Sequence, residues 1–207
     1  MIVLGLTGGI AMGKSTAAAI FRSFDVPVHD ADAEVHRLFA PGGASVGEVD
    51  AAFPGCLDAA GGIDRGRLGA AVLGEPDALR RLEAIVHPLV RVAERRFLEV
   101  WRARRCRLVL LDIPLLFETG AEKRLDAVAV VSAPGFVQAQ RVLRRGGMTP
   151  RKLEAVRARQ MPDPEKRRRA DFVIPTGLGR RTTVDAIGGI VRLLRGAAVR
   201  RIEACHA

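Results

Sequence analysis

A glycine-rich segment near the start of the chain constrains the fold more than any other feature. Residues 8–15 read Gly-Gly-Ile-Ala-Met-Gly-Lys-Ser, which fits a pattern of glycine, four free positions, glycine, lysine and serine or threonine. Glycines let the backbone curl so that its N–H groups point inward at phosphate oxygens, and the lysine can reach the terminal phosphates. The serine hydroxyl is a ligand suited to Mg²⁺. The segment therefore predicts a phosphate-binding loop.

The sequence on either side of this loop supports that prediction. Residues 2–7 form a short apolar run, which predicts a buried parallel strand. Residues 16–24 have the apolar spacing of a helix, whose dipole adds positive charge at its first turn. A strand, a glycine loop and a helix are the setting that a phosphate loop requires. The alternative is a glycine-rich turn before an amphipathic helix.

Composition and charge favour a globular enzyme that handles anions. The chain has 207 residues, of which 48% are hydrophobic and 27% charged, enough for one α/β domain with a sizeable core. Its net charge of +10 comes from 29 arginines and 4 lysines, which fits a nucleic-acid-binding protein or an enzyme with a polyanionic ligand. Aromatic residues make up only 4%, too few for base-stacking platforms, so we expect no nucleic-acid partner.

Neither a membrane segment nor a signal peptide is evident in the sequence. No apolar run approaches the ~18 residues that a membrane span needs. The first residues lack a basic region followed by a long apolar segment and a cleavage site. We therefore expect a cytoplasmic protein with no membrane partner, present as a monomer or a weak homo-oligomer.

Apolar runs alternate with helical patterns along the chain, which predicts βαβ units and a parallel sheet. We expect five strands, at residues 2–6, 26–29, 108–111, 127–131 and 172–174. We expect one domain over residues 1–207, with its core at about 1–32, 107–135 and 170–195, a helical insertion at about 33–106 and a lid at about 136–169. Within the insertion, Pro88 predicts a helix break and a bend at His87, because a residue before proline disfavours helix. Within the lid, the helical pattern is broken near Gly146-Gly147 and at Pro162.

Acidic residues follow two of the predicted strands. Asp30 and Asp32 come after the second strand, and Asp112 after the third. Ligands of open parallel sheets sit beyond the carboxyl ends of the strands, so we expect these carboxylates to face one crevice. There, Asp30 can orient an attacking hydroxyl and Asp32 can act as its base, while Asp112 accepts from metal-bound water. The alternative is that one of the first two aspartates caps the next helix.

Residues 115–118 continue this segment after Asp112. Leu115, Leu116 and Phe117 form either the wall of an apolar substrate pocket or part of the core. Glu118 directly after them is costly to bury without a partner.

Two further features are candidates for ligand contacts. His87 is either a substrate contact or a structural histidine. Gln138, Arg141 and Arg145 are spaced by three and four residues, so they share one helix face. Arginines on a lid helix can close over phosphates and neutralise developing charge, and the alternative is a solvated basic face.

Together these motifs resemble the dephospho-CoA kinase family over about residues 1 to 178. The resemblance is carried by residues 8–16, Asp30-Ala31-Asp32 with His36, residues 62–65 with Leu68, residues 82–88, residues 112–118, residues 138–141 with Arg145, Gln160, and residues 170–174. Many enzymes share the phosphate loop alone. The Asp-Ala-Asp, His-Pro and Pro-Leu-Leu-Phe-Glu elements together are much more specific.

The resemblance implies a fold and an activity. The implied fold is the α/β P-loop NTPase fold of nucleoside-monophosphate-kinase type, a five-stranded parallel sheet flanked by helices, with a helical CoA-binding lobe and a lid. The implied activity is ATP-dependent phosphorylation of the ribose 3′-hydroxyl of dephospho-CoA, the last step of coenzyme A synthesis. Another small-molecule or nucleotide kinase is the first alternative, and a basic nucleic-acid-binding P-loop protein is the second.

The resemblance also implies roles for individual residues. The catalytic residues it implies are Asp32 as the base, Lys14 and Arg141. The ATP-binding residues it implies are Gly8, Gly9, Ile10, Ala11, Met12, Gly13, Lys14, Ser15, Thr16 and Arg145. The dephospho-CoA contacts it implies are Asp30, His87, Leu115, Leu116, Phe117 and Glu118. Mg²⁺ is expected on Ser15 and, through water, on Asp112.

The chain departs from the family pattern at a few positions. Ala11 and Met12 stand where the family usually has glycine and serine, so the loop needs backbone angles that alanine tolerates and lacks a small polar side chain. Gly146 follows Arg145 where the family often has an acidic residue. Thr176 stands where it often has asparagine, which changes a contact on the adenine side.

Overall fold

Helices and strands alternate in the computed structural model, which describes residues 1–72, 74–144, 149, 153–154, 157–158 and 160–204, with side chains to residue 197. The strands are β1 (Ile2–Gly8), β2 (Val28–Asp30), β3 (Leu108–Asp112), β4 (Ala127–Ser132) and β5 (Phe172–Pro175). The helices are α1 (Lys14–Ser23), α2 (Ala31–Phe39), α3 (Val46–Ala52), α4 (Arg65–Val72), α5 (Pro76–Ala103), α6 (Gly135–Leu143), α7 (Asp163–Arg169) and α8 (Arg180–Ala204). A 3₁₀ helix spans Ala121–Arg124.

The five strands form one parallel sheet in the order β2-β3-β1-β4-β5. The central strand β1 places Leu6 opposite Asp112 of β3 and Gly8 opposite Val131 of β4. Residues of β1 and β3 are buried along the whole of each strand, as expected of a parallel sheet covered on both faces. The five predicted strands are confirmed, each within two residues of its predicted ends.

The chain divides into two compact units. The first unit contains residues 1–29 and 101–207, and the second contains residues 30–100. The core of the first unit packs β1 and β3 against α1 and α8, with Leu4, Phe21, Leu110 and Ile187 fully or almost fully buried. The helices α1 and α8 are therefore held by an apolar face each, as amphipathic helices on a sheet are.

The second unit has an apolar core of its own. Leu38, Val49, Phe53, Leu68 and Val86 form a buried cluster to which α2, α3, α4 and α5 contribute. Sequence analysis placed a helical insertion at about 33–106, close to the bounds of this unit. A role for it in binding CoA remains a prediction.

The predicted helix break at His87 is wrong. Helix α5 runs from Pro76 to Ala103 with Pro88 in its interior. A proline inside a helix removes one backbone hydrogen bond and costs about 3 kcal/mol. Val86 and Leu89 on either side of it both pack into the second unit's core, and this burial keeps the helix continuous.

The segment predicted to form a lid contains α6 and α7. Pro162 is the N-cap of α7, so the predicted break at this proline is confirmed. The predicted break near Gly146-Gly147 lies outside the described residues.

Among the residues that the structure describes, no helix has the length and apolar character needed to cross a membrane.

Candidate active site

The predicted phosphate loop joins the central strand to the first helix. Strand β1 ends at Gly8 and α1 begins at Lys14, so the strand, loop and helix follow one another as predicted. Gly13 is the N-cap of α1 and has a φ of 92°, in the left-handed region that favours glycine. A Cβ at Gly13 would also lie 3.2 Å from the Cβ of Thr176. Backbone angle and close packing therefore both require glycine at this position.

The first turn of α1 is suited to bind an anion. Ser15 and Thr16 are exposed there, and the turn contains no acidic residue. The first N–H groups of a helix lack partners within the helix, and together with the helix dipole they form a positive end that favours negatively charged ligands. This is the geometry from which phosphate sites at helix N-termini are built.

Lys14 forms an ion pair with Asp112. Its Nζ donates to Asp112 Oδ1 at 2.7 Å, and the Asp112 side chain is only 2% exposed. Asp112 ends β3 and stands opposite Leu6 of β1, which sets its carboxylate close to the phosphate loop. A charge-assisted hydrogen bond to a buried carboxylate holds both groups in a defined geometry.

The donors at this end of the sheet fit a magnesium ion that arrives with a phosphate ligand. Mg²⁺ usually takes one or two carboxylates, with substrate phosphates and water in its other positions. The Ser15 hydroxyl and the Asp112 carboxylate are oxygen donors of this kind. Within the described part of the chain, no group of three or more acidic, histidine or cysteine side chains could form a complete metal site.

Two polar side chains bond to Ile10 in the phosphate loop, and a third side chain bonds to one of them. Gln160 Oε1 accepts a hydrogen bond from the Ile10 N–H at 3.1 Å. Gln138 Nε2 donates to the Ile10 carbonyl oxygen at 2.9 Å. Arg157 Nε donates to Gln138 Oε1 at 3.0 Å. Sequence analysis named Gln138 and Gln160 only as parts of motifs and did not find Arg157, because no local pattern links these residues.

The two loop residues that differ from the family pattern, Ala11 and Met12, are both buried. Ala11 has a φ of 56° and is 9% exposed, packed with Val142 of α6 and with Leu153. Met12 is 4% exposed and belongs to the core of the first unit. Alanine therefore adopts a left-handed backbone here, and its methyl group makes a contact that glycine cannot.

Arg141 is connected to the phosphate loop through Thr176. Its guanidinium donates to the Thr176 carbonyl oxygen at 2.6 Å and to Thr176 Oγ1 at 3.3 Å. Thr176 Oγ1 in turn donates to the Met12 carbonyl oxygen at 2.6 Å. Arg141 is half-buried, so the alternative of a solvated basic face is wrong for this arginine. Arg145 lies outside the described residues.

The apolar residues after Asp112 separate into two groups. Leu116 and Phe117 are buried, in agreement with the core alternative. Leu115 is 39% exposed and has a φ of 51°. The structure therefore leaves Leu115 as the accessible apolar side chain of the three, and contacts of all three with a substrate remain predictions.

Glu118 has the partner that its position requires. Its Oε1 lies 2.8 Å from the Nζ of Lys166, which is almost fully buried, and accepts the Met161 N–H at 2.8 Å. Burial alone would raise the pKa of Glu118, but the hydrogen bonds from Lys166 and Met161 outweigh it and hold the pKa below its ordinary value. Sequence analysis did not identify Lys166, which lies far along the chain in α7.

In the second unit, Asp30 and Asp32 take different positions. Asp30 is the N-cap of α2, and its Oδ1 accepts the Ala33 N–H at 3.0 Å, so the capping alternative is confirmed for Asp30. Asp32 is exposed in the first turn of the same helix. A cap at Asp30 fixes the start of α2 and with it the direction in which Asp32 leaves the backbone. The roles of both residues toward a substrate remain predictions.

Three other motif residues of the second unit, His36, Arg65 and His87, are also exposed. Arg65 NH1 lies 2.7 Å from Nε2 of His36, which is one helical turn after Asp32. The N–H groups of Arg67 and Gly66 hold the pKa of Asp64 below its ordinary value. His87 is exposed on α5 and is therefore not a core residue.

A cavity of about 610 Å³ lies in the first unit beside the phosphate loop. Its walls include Met12, Pro134, Gln138, Arg157 and Leu178. Apolar walls with a few polar groups are typical of small-molecule sites.

Solved structures of similar fold include kinases. A protein from Thermus thermophilus is similar with a TM-score of 0.80 and 37% identity, covering 93% of this chain and 96% of that protein. A dephospho-CoA kinase from Campylobacter jejuni has a TM-score of 0.71 and 24% identity, covering 94% and 98%. Shikimate kinase from Acinetobacter baumannii shares the fold with a TM-score of 0.53 and 18% identity, covering 95% and 94%.

The parallel sheet, the phosphate loop and the Lys14–Asp112 pair together define a P-loop NTPase fold. The family model of dephospho-CoA kinase matches residues 2–178. The dephospho-CoA kinase of Paramagnetospirillum magneticum is 62% identical, covering 95% of this chain and 92% of the relative, and that of Rhodospirillum rubrum is 54% identical, covering 97% and 94%. The chain therefore belongs to the dephospho-CoA kinase family.

Proposed function

We propose that the chain transfers the γ-phosphoryl group of ATP to the ribose 3′-hydroxyl of dephospho-CoA and so produces coenzyme A. The observation that carries this proposal is the family match over residues 2–178, because this range contains the phosphate loop and the motif residues of both units. The high identity to dephospho-CoA kinases over nearly the whole chain supports it. Because ATP is the donor, we place the activity in the cytoplasm.

The phosphates of ATP bind at the phosphate loop and the first turn of α1. The N–H groups there and the Lys14 ammonium supply positive charge where the transferred phosphoryl group carries negative charge. Ser15 directly and Asp112 through water would hold Mg²⁺, which when bound neutralises charge on the phosphate oxygens. Arg141 contributes further positive charge, and its bonds to Thr176 fix the guanidinium before ATP binds.

The cavity beside Met12 receives the nucleoside part of ATP. Its position next to the loop supports this placement, since a nucleoside is covalently joined to the phosphates that the loop binds. Met12, Pro134 and Leu178 provide apolar wall for the faces of a purine.

On the acceptor side, Asp32 takes the proton of the 3′-hydroxyl as that oxygen attacks phosphorus. Its exposure leaves the carboxylate accessible to a substrate. Asp30, His87 and residues 115–118 are our further candidates for contacts with dephospho-CoA. Because the transition state of phosphoryl transfer is loose, most of the rate enhancement comes from positioning and charge stabilisation.

The test is an acceptor panel with purified protein, ATP and Mg²⁺. Dephospho-CoA should gain the mass of one phosphoryl group, with a kcat/KM at least about 100-fold above that for AMP, shikimate or gluconate. A preference for one of these other acceptors would indicate a different small-molecule kinase. Steeply salt-dependent binding of RNA or DNA without kinase activity would favour the nucleic-acid alternative.

A further inference from the structure

We propose that Gln138 and Gln160 are positioning residues that shape the phosphate loop for ATP by holding Ile10 on both of its backbone groups. This inference rests on the proposed function, since it assigns the two glutamines to the ATP side of the same site. Gln160 accepts a hydrogen bond from the Ile10 N–H, and Gln138 donates one to the Ile10 carbonyl oxygen. The flanking loop does not favour its conformation by itself, because Gly9 is conformationally permissive and Ala11 has a positive φ, which alanine disfavours.

The two hydrogen bonds have opposite polarity. The Gln160 side chain accepts and the Gln138 side chain donates, so the amide of Gln138 has to keep its nitrogen toward the loop. Arg157 fixes that orientation because its guanidinium donates to the amide oxygen of Gln138. Gln138 is only 5% exposed, and a buried amide left without these partners would be destabilising.

The residues that hold Ile10 lie outside the loop. Gln138 lies on α6, and Gln160 and Arg157 lie between α6 and α7. Apolar contacts of Ala11 with Val142 and Leu153 add to the same attachment. A loop held in this way loses less conformational entropy when ATP binds, which raises affinity in addition to any contact that Gln138 makes as part of the cavity wall.

The arrangement also assigns a role to Ile10 itself. Its N–H is occupied by Gln160 and is therefore not a donor to phosphate in this conformation. Ile10 contributes to ATP binding through the path that it imposes on the loop, and the first turn of α1 provides N–H groups for phosphate.

Because one glutamine accepts and the other donates, substitution of each by glutamate should have different effects. Gln160→Glu keeps an acceptor for the Ile10 N–H, whereas Gln138→Glu removes the donor and sets a carboxylate oxygen against the Ile10 carbonyl oxygen. Both variants add one negative charge beside the same residue, so a difference between them reports the hydrogen bond. The matched control is Gln140→Glu, which adds the same charge at an exposed position of α6.

The readouts are ATP affinity by titration without acceptor, KM for each substrate, kcat and the unfolding temperature. We expect Gln138→Glu to weaken ATP binding about 10-fold more than Gln160→Glu does, with KM for dephospho-CoA little changed. Gln140→Glu should match the wild type. Gln138→Met keeps the volume and loses the donor without adding charge, and should weaken ATP binding as well if Gln138→Glu does not fold.

Equal ATP affinity of folded Gln138→Glu and Gln160→Glu variants would overturn the inference. So would a Gln138→Met variant with wild-type affinity, or losses that follow the unfolding temperature and affect both substrates alike. Wild-type protein that binds ATP but does not phosphorylate dephospho-CoA would overturn the proposed function instead, and the ATP affinities would still decide the role of the glutamines.

Discussion

Lys14 Nζ lies 2.7 Å from Asp112 Oδ1, and this contact joins the start of α1 to the end of β3. With Asp112 only 2% exposed, its charge depends on nearby positive groups for compensation. The pair therefore has two effects that mutation can separate. It stabilises the fold around the phosphate loop, and it keeps an ammonium group and a carboxylate where the proposed reaction needs them.

Lys14→Met should lower both stability and activity. Removal of the ammonium leaves a buried carboxylate, which we expect to cost about 1–3 kcal/mol, measured by denaturant unfolding. Adding Asp112→Asn should restore part of this stability, because the double variant no longer buries the charge of residue 112. The kcat/KM should stay at least about 100-fold reduced in both proteins. Full recovery of turnover in the double variant would contradict the role of Lys14 at the phosphates.

Asp32→Asn tests the proposed base. The amide keeps the size of the side chain but cannot take the proton of the 3′-hydroxyl, so kcat should fall by ~10²–10⁴. The matched control is Glu48→Gln, which also removes a charge from an exposed first turn of a helix in the second unit. Both variants should unfold within about 1 kcal/mol of the wild type, since both side chains are exposed and substitutions at exposed positions change stability little. Near-normal turnover by folded Asp32→Asn protein would exclude Asp32 as the base.

Local sequence patterns predicted the elements that depend mainly on residues close together in the chain. The run at residues 2–6 and the glycines that follow it predicted β1 and the phosphate loop, because burial on both faces and positive φ angles restrict residue type at single positions. Pro88 shows the limit of such reasoning, since the apolar residues around it keep α5 intact through contacts that no local rule includes.

The contacts around the loop depend on residues far apart in the chain. Sequence analysis recognised that Glu118 is costly to bury, but nothing in the pattern identified Lys166 as its partner. The bonds of Ile10 to Gln138 and Gln160 span 128 and 150 residues. Such pairs follow from the topology of the sheet, which brings the segments after β1 and β4 together. A single sequence contains the residue types but not their pairing.

Ala11→Gly should leave the stability almost unchanged, although it removes a buried methyl group. Glycine removes the strain of alanine at a positive φ, which raises the free energy of unfolding by about 1 kcal/mol. Loss of the buried methyl group lowers it by a similar amount. The matched control is Ala139→Gly in the same apolar cluster, where α6 is regular and no strain is released. That change should cost about 1–2 kcal/mol from helix propensity and burial together. Equal losses in the two proteins, measured by thermal unfolding, would show that Ala11 is not strained.

The ion pair of Glu118 with Lys166 predicts an acid-sensitive contribution to stability. Because the folded state holds the pKa of Glu118 below its ordinary value of 4.5, this contribution is fully present above that value and is lost as the pH falls further. Glu118→Gln should therefore destabilise the protein at neutral pH and approach the wild-type stability in acid. Glu165→Gln, in an exposed pair with Arg169 of α7, is the control and should change stability by less than about 0.5 kcal/mol. Unfolding by denaturant across pH 3–7, roughly the range over which ordinary glutamates titrate, provides the measurement. A constant difference between Glu118→Gln and the wild type at every pH would show that the charge of Glu118 contributes nothing to the fold.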